Sequence, residues 1–261
     1  MVSILKKLIE SSSNFFGKEL ILSGYKKEIV IYREFPPYME KDFMKIYKRC
    51  KDYTTTSIER MYALYKAVEY IVKSNIKGNF VECGVWKGGS TMIIALTLLS
   101  MKEKNRKIYL YDTFSGMTKP TEKDKTISSS YPVIDKWKKY QANDHNKWAF
   151  SPLEDVKDNM LSTGYPPLNL VFVKGKVEDT IPRIIPSKIA LLRLDTDWYE
   201  STYHELKYLF PLLINKGVLV IDDYGYFTGA KEAVDKYVKE NNIKILLNRI
   251  DYTGRLGIKY V

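Results

Sequence analysis

Cysteine and histidine are scarce in this chain. Cys50 and Cys83 are its two thiols, and His145 and His204 its two imidazoles, among 261 residues. So few exclude a disulfide-stapled scaffold and a Cys/His zinc site, and they fit the reducing cytoplasm. No apolar run approaches the roughly 20 residues that a membrane-spanning helix needs. The first residues, MVSILKKLIESSSNFFGKELIL, lack the continuous apolar core and cleavage pattern of a signal peptide. There is no GxGxxG of dinucleotide enzymes and no GK[ST] ending of a P-loop. Basic blocks interleaved with aromatics are also missing, which counts against an RNA-binding module.

What is present describes a folded α/β protein. Hydrophobic residues make up 45% and aromatics 13%, enough for a proper core, and the length suits one large domain with extra N-terminal elements. The net charge of +11 is scattered. It attracts anionic partners, whether nucleic acid, acidic lipid or phosphorylated small molecules, without choosing among them.

Two apolar runs end in acid. Ile189–Leu194, broken only by Arg193, leads into Asp195 and Asp197. Val218–Ile221 leads into Asp222 and Asp223. Runs that do not alternate are the mark of parallel strands covered on both faces. Between them Tyr203, Leu206, Leu209, Phe210 and Leu213 recur at helical spacing, which predicts a helix over Ser201–Ile214 with Ser201 or Thr202 as its cap. Strand, helix, strand makes a right-handed βαβ unit, and the ligand crevice of such a sheet lies at the carboxyl ends of its strands. Three or four carboxylates at one rim repel one another unless a cation sits among them, and oxygen-only ligands suit a hard ion such as Mg²⁺. Taken singly, each aspartate reads equally well as a helix cap or a turn residue.

A second unit precedes this one. Phe80–Cys83 reads as a strand, Gly84–Gly89 as a glycine turn and Ser90–Leu99 as an apolar helix, with the spacing ExGxxxGxS from Glu82 to Ser90. Glycines allow close backbone approach to a ligand, and a helix N-terminus offers free N–H groups. Glu82 suits a cationic ligand end such as an ammonium. The next strand, Lys107–Tyr111, ends in Asp112, where a ribose is usually held.

Around these units the order is less informative. Residues 1–52 read as a cap or lid with a short amphipathic helix at Val2, Leu5, Leu8 and Ile9, a strand at Ile29–Tyr32 and a helix at Tyr38–Lys48. This region is also where a homodimer or higher homo-oligomer contact is expected. Residues 53–261 form the main domain, with a helix over Ile58–Ser74. Thr113–Phe150 is long, polar and aromatic, which predicts a lid or substrate wall. It carries His145, read either as a surface residue or as a general base. Further elements are a helix at Leu153–Leu161, a strand at Leu170–Lys174, a helix at Thr228–Glu240 and a terminal hairpin turning near Asp251–Gly254.

Five parallel-type strands followed by a hairpin is the layout of class I S-adenosylmethionine methyltransferases. At VECGVWKGGS, YLYDTFSGM, VKGKVEDTIP, LLRLDTDWYEST and VLVIDDYG the chain resembles the macrocin O-methyltransferase family, metal-dependent enzymes that methylate sugar hydroxyls. The likeness covers about residues 53–240. It implies a Rossmann-like, mostly parallel sheet with a C-terminal antiparallel hairpin and helices on both faces. It implies S-adenosylmethionine against Thr56, Glu82, Gly84, Val85, Ser90, Asp112, Thr113, Phe114, Ser115, Gly175, Val177 and Asp195. It implies Mg²⁺ on Asp195, Asp222 and Asp223. Asp195, Asp197 and His145 are the catalytic candidates, the base being left between Asp197 and His145. The expected acceptor is a sugar, linked to a nucleotide and destined for a capsule or other surface glycan; a natural-product glycoside is the alternative. No nucleic-acid partner and no membrane span are expected, and the expected location is cytoplasmic. A nicotinamide-dependent sugar oxidoreductase on a similar sheet would want GxGxxG, and a basic nucleic-acid-binding protein would leave the acidic rim unexplained.

Overall fold

The computed structural model describes residues 36–129 and 133–260. The chain divides after Lys45, and the unit Ile46–Val261 carries the sheet. The helix expected at the first residues and the strand expected at Ile29–Tyr32 lie outside the described residues, with most of the 1–52 cap.

In chain order the elements are α1 (Lys41–Cys50), α2 (Ile58–Lys73), β1 (Asn79–Cys83), α3 (Gly89–Ser100), β2 (Ile108–Asp112), α4 (Ile134–Lys139) and α5 (Leu153–Leu161). There follow β3 (Leu170–Lys174), α6 (Val177–Thr180), β4 (Ile189–Leu194), α7 (Tyr199–Leu209), β5 (Leu213–Ile221), α8 (Thr228–Glu240), β6 (Asn248–Arg249) and β7 (Arg255–Ile258). The sheet order is β3-β2-β1-β4-β5-β7-β6. β1 to β5 are parallel, and β7 runs antiparallel to β5 and β6. This is the expected class I methyltransferase layout. The strand order reverses between β1 and β4, so a crevice opens at their carboxyl ends.

The sequence explains the centre of the sheet. Every residue of β4 is buried, which is why its apolar run does not alternate. Glycine turn and helix α3 follow β1, and α3 is buried nearly all round because it is apolar all round. Helix α2 presents Met61, Leu64, Tyr65, Val68 and Ile71 to the interior, and the Ser57 side chain caps it by accepting the Arg60 N–H. On one face of the sheet Val81, Leu192, Leu194, Leu219 and Ile221 meet Leu206 and Leu209 of α7 and Val234 of α8. Each such side chain contributes about 1.5–3 kcal/mol of burial.

The βαβ unit differs from expectation in two places. Helix α7 begins at Tyr199, not Ser201, and Trp198 at its N-cap position makes no capping bond. Ser201 Oγ instead donates back to the carbonyl of Trp198 at 3.2 Å. The helix stops at Leu209 because Pro211 restricts the next turn to a short 3-10 segment, Phe210–Leu212. The hairpin turns where expected: Asp251 Oδ1 accepts the N–H groups of Thr253 and Gly254 at 2.9 and 2.7 Å.

Candidate functional site

The carboxyl ends of β1, β2, β4 and β5 surround a cavity of about 550 Å³. Its first half is built on the glycine turn. Thr56, Glu82, Gly84, Val85, Ser90, Asp112, Thr113, Gly175 and Val177 all line it. The need for glycine at position 84 comes from the protein itself rather than from a ligand. A Cβ there would overlap the carbonyl oxygen of Asp195, so β1 and β4 could not close together. Its φ of 82° also favours glycine. Asp112 shapes the turn directly. Its Oδ2 accepts the N–H groups of Val85 and Trp86 at 2.7 and 2.9 Å, and its Oδ1 accepts that of Phe114 at 2.8 Å. Burial nevertheless raises the Asp112 pKa, the three amide bonds opposing it. Phe114 and Ser115, expected at the cofactor, do not line the cavity. Phe114 is buried, and the Ser115 N–H is spent on Thr113 Oγ1 at 3.1 Å, so both build the turn from behind.

The second half is the acid rim. Asp195, Asp197, Asp222 and Asp223 all line the cavity. One carboxylate oxygen from each of Asp195, Asp197 and Asp223 falls within 4.8 Å of the others. Asp222 faces another way. Its Oδ1 accepts Arg193 Nη2 at 2.6 Å and its Oδ2 pairs with Arg60 Nη1. The triad expected on the ion was Asp195, Asp222 and Asp223. In the structure two guanidinium groups occupy Asp222, and Asp197 stands in the cluster. The backbone of Asp197 is left-handed, φ 67°, which turns its side chain toward the rim.

The electrostatics of this half are unbalanced. Burial raises Asp195 and Asp223 well above the ordinary carboxylate range, and their acidic neighbours add to it. Asp197 is pushed up to about 8 by burial and by Asp195. Asp223 Oδ2 is buried without a hydrogen-bond partner among the described residues. Three close oxygens with one orphaned acceptor need a shared proton or a cation. An all-oxygen donor set of this kind suits Mg²⁺.

Arg193 joins the two halves, and it escaped the sequence reading. It is 1% exposed, one residue from the carboxyl end of β4. Its Nη1 donates to Glu82 Oε1 at 2.5 Å and to Asp195 Oδ2 at 2.7 Å. The signal was available: a lone base in one buried strand and a lone acid in another, placed opposite each other once the strands pair, Glu82 beside Arg193. Charges buried in a sheet must be paired. Arg60 reaches the same network from α2 and contacts Asp251 Oδ2 through Nε at 2.9 Å. Beneath the rim, Glu205 of α7 is fully buried and accepts Thr196 Oγ1 at 2.9 Å. It lies against the thiol of Cys83, which is free, and burial raises both.

His145 is not brought to the site. It does not line the cavity. Its Nδ1 sits 2.7 Å from Asp144 Oδ1 and its ring stacks on Phe150 at 4.3 Å. A local turn bridging Gln141 and Asn146 holds it there. What Thr113–Phe150 does bring is an aromatic wall. Trp148 lines the cavity with Tyr226, Phe227 and Tyr252, and Lys136 Nζ lies 3.9 Å over the Trp148 ring. Among the described residues no helix is long and apolar enough to cross a membrane.

Comparison with known proteins gives the family. The model of the TylF macrocin O-methyltransferase family matches residues 43–256. An 8-demethyl-8-(2,3-dimethoxy-α-L-rhamnosyl)-tetracenomycin-C 4′-O-methyltransferase of Streptomyces olivaceus is 30% identical over 202 residues, 77% of this chain and 74% of that protein. A demethyldecarbamoylnovobiocin O-methyltransferase of Streptomyces niveus is 29% identical over the same shares. The solved structure of the O-methyltransferase NovP superposes with a TM-score of 0.70 at 26% identity, covering 80% of this chain and 83% of that one. With its sheet order, glycine turn and acid rim, the chain belongs to the macrocin O-methyltransferase family and is an S-adenosylmethionine-dependent O-methyltransferase.

Proposed function

We propose that the enzyme methylates a hydroxyl of a sugar carried as a natural-product glycoside, with Mg²⁺ at the acid rim. The observation that carries this is the juxtaposition of a glycine-turn half and an orphaned carboxylate cluster in one cavity with an aromatic third wall. The relatives' names support a glycoside acceptor: a rhamnosyl tetracenomycin, a novobiocin precursor and mycinamicin III. None of them points to a capsule. A nucleotide-activated sugar is the second reading, and Lys136, a cation on the acceptor side, is what favours it.

In this reading the cofactor half takes S-adenosylmethionine, with Glu82 and Ser90 toward its methionine end and Asp112 toward its ribose. Asp195, Asp197 and Asp223 would hold the ion. A divalent ion there supplies a Lewis acid that lowers the pKa of the acceptor hydroxyl. Of the two base candidates Asp197 lines the cavity and His145 does not, so Asp197 accepts the hydroxyl proton on a carboxylate oxygen. Arg193 holds Asp195 and Glu82 on one guanidinium and so keeps the two substrates in register. Bound there, S-adenosylmethionine would supply the methyl carbon to the deprotonated sugar oxygen and would leave as its neutral thioether.

The test is methyl transfer from S-adenosylmethionine to a panel of rhamnosides and nucleotide sugars, read by mass spectrometry with Mg²⁺ and with EDTA. A product one methyl heavier that EDTA abolishes is expected with a glycoside. Turnover of the nucleotide sugar alone would move the acceptor to the second reading. Turnover that EDTA leaves untouched would remove the metal.

A further inference from the structure

Helix α7 follows directly from the acid-bearing loop, yet its own N-cap residue makes no capping bond. The bond comes from far upstream. Asp124 Oδ1 accepts the Tyr199 N–H at 2.9 Å across 75 residues of sequence. Its Oδ2 accepts both the N–H and the hydroxyl of Thr121, at 2.7 and 2.8 Å. Asp124 is 1% exposed, so these bonds are shielded from water. Opposite it stands Gly229 in the first turn of α8, where a Cβ would overlap the Asp124 carboxylate.

The surrounding contacts converge on the same seam. Thr228 N–H donates to the Lys125 carbonyl at 2.9 Å, and Lys125 N–H donates to Thr228 Oγ1 at 3.0 Å. Ile127 N–H donates to the Tyr226 carbonyl at 2.9 Å. Trp198 Nε1 donates to the Thr118 carbonyl at 3.0 Å, and its ring packs edge-on against Trp148 and Phe227. Segment 117–127 is thus bonded to the residues that follow Asp197 and to those that follow Asp223. These are the two loops that carry the acid rim.

We infer that Asp124 is a positioning residue that fixes the aromatic acceptor wall to both acid-bearing loops, by capping α7 in trans of its own sequence. It touches neither substrate. It acts by setting where Asp195 and Asp197 stand relative to Trp148 and Tyr226. The inference rests on the proposed acceptor site, but its bonding pattern does not. Of the two readings of this stretch, lid or substrate wall, the seam favours the wall: it predicts an acceptor face that is in place before the acceptor arrives.

The test uses the full chain with Asp124→Ala, Asp124→Asn and Gly229→Ala. Asparagine keeps an oxygen for the Tyr199 N–H but opposes the Thr121 N–H with a second donor. Expected for Asp124→Ala is a fall in kcat/KM for the acceptor of about 10–100-fold, the range found when a group that orients site residues is removed, with a smaller fall for Asp124→Asn. Affinity for S-adenosylhomocysteine, by calorimetry, stays within about twofold, since the cofactor half is separate. Hydrogen exchange speeds up in peptides covering residues 117–127 and 197–203 and not in those covering 80–95. Gly229→Ala reproduces the same pattern by displacing the carboxylate, and it carries the test if Asp124→Ala does not fold. Wild-type turnover in Asp124→Ala, cofactor affinity falling in step with turnover, or unchanged exchange at 197–203 would each overturn the inference. If the wild-type enzyme methylates no sugar, the proposed function fails, and the exchange arm still decides for or against Asp124.

Discussion

Asp112 at the end of β2 and Asp223 at the end of β5 are both strand-end carboxylates lining one cavity, and their surroundings are opposite. Asp112 receives three backbone N–H groups from the turn it organises. Asp223 has a buried oxygen with no donor among the described residues and two acidic neighbours within reach. In the half proposed for the cofactor, the strand-end acid therefore has its hydrogen bonds satisfied by the fold alone. The acid half has more negative charge than the fold can neutralise, although Arg193 and Arg60 both enter it. A protein keeps such an imbalance where something from outside completes the site. The contrast teaches which half is prepared in advance and which is finished by a ligand.

The sharpest way to break the contrast is to remove an orphan. Asp223→Asn is expected to lower kcat/KM by about 10³-fold or more, some 4 kcal/mol at 1.36 kcal/mol per decade, because the proposed ion would lose a ligand and its charge together. Affinity for S-adenosylhomocysteine should barely change, since Asp223 makes no bond in the cofactor half. Equal losses in turnover and in cofactor binding would show that the halves are not separable. His145→Ala, by contrast, should leave both quantities near wild type.

Arg193 is where the halves cannot be separated. Its side chain is 2% exposed and it serves Glu82, Asp195 and Asp222 together. Arg193→Met removes the guanidinium from Glu82 and Asp195 and leaves Asp222 with Arg60 alone. Breaking a buried pair on one side costs about 3–5 kcal/mol, and denaturant unfolding should show that loss, together with weaker cofactor binding. Arg193→Lys should rescue little, because an ammonium cannot reproduce the planar fork. Asp112→Asn is a milder change, confined to the first half. One backbone N–H of the turn loses its acceptor, at about 1–3 kcal/mol, so S-adenosylhomocysteine binding is expected to weaken about 5–150-fold. Any loss of turnover should disappear at saturating cofactor.

The same contrast explains what the sequence could and could not say. The parallel strands with their terminal hairpin, the glycine turn and the two acid-tipped strands were legible, because buried parallel strands are continuous apolar runs and loops at their ends are polar. The partners of the acids were not legible. Asp222 and Asp223 are adjacent and chemically identical; which one faces Arg193 depends on strand alternation and on Arg60 arriving from α2. Asp197 joins the cluster through a left-handed backbone that no spacing rule announces. The cap of α7 was assigned to Ser201 or Thr202 by local rules, whereas the bond is made by Asp124, a long-range choice that propensity cannot see. His145 looked apt by chemistry alone, and the turn that holds it against Phe150 was equally invisible.

The smallest effect tests the outer edge of the acid half. Burial of Asp251 favours its neutral form, but the N–H groups of Gly254 and Thr253, the Ser57 hydroxyl and Arg60 together favour the anion and win, bringing its pKa from the usual 3.8 to about 2. A carboxyl whose pKa is lower in the folded state contributes stability that is complete above its unfolded value and is lost as pH falls through the folded one. The contribution should therefore be present at pH 5 and vanish between about pH 4 and pH 2. Asp251→Asn removes that titration. The variant should melt about 2–4 °C below wild type near neutral pH, the shift that about 1 kcal/mol produces in a domain of this size, and the gap should close on acidification. Because Arg60 bridges Asp251 to Asp222, the variant is also expected to weaken Mg²⁺ dependence slightly while leaving S-adenosylhomocysteine affinity alone. If the gap instead widens toward pH 2, the hairpin contact stabilises the fold by some means other than its charge, and Arg60 needs no help from Asp251 to hold Asp222 away from the cluster.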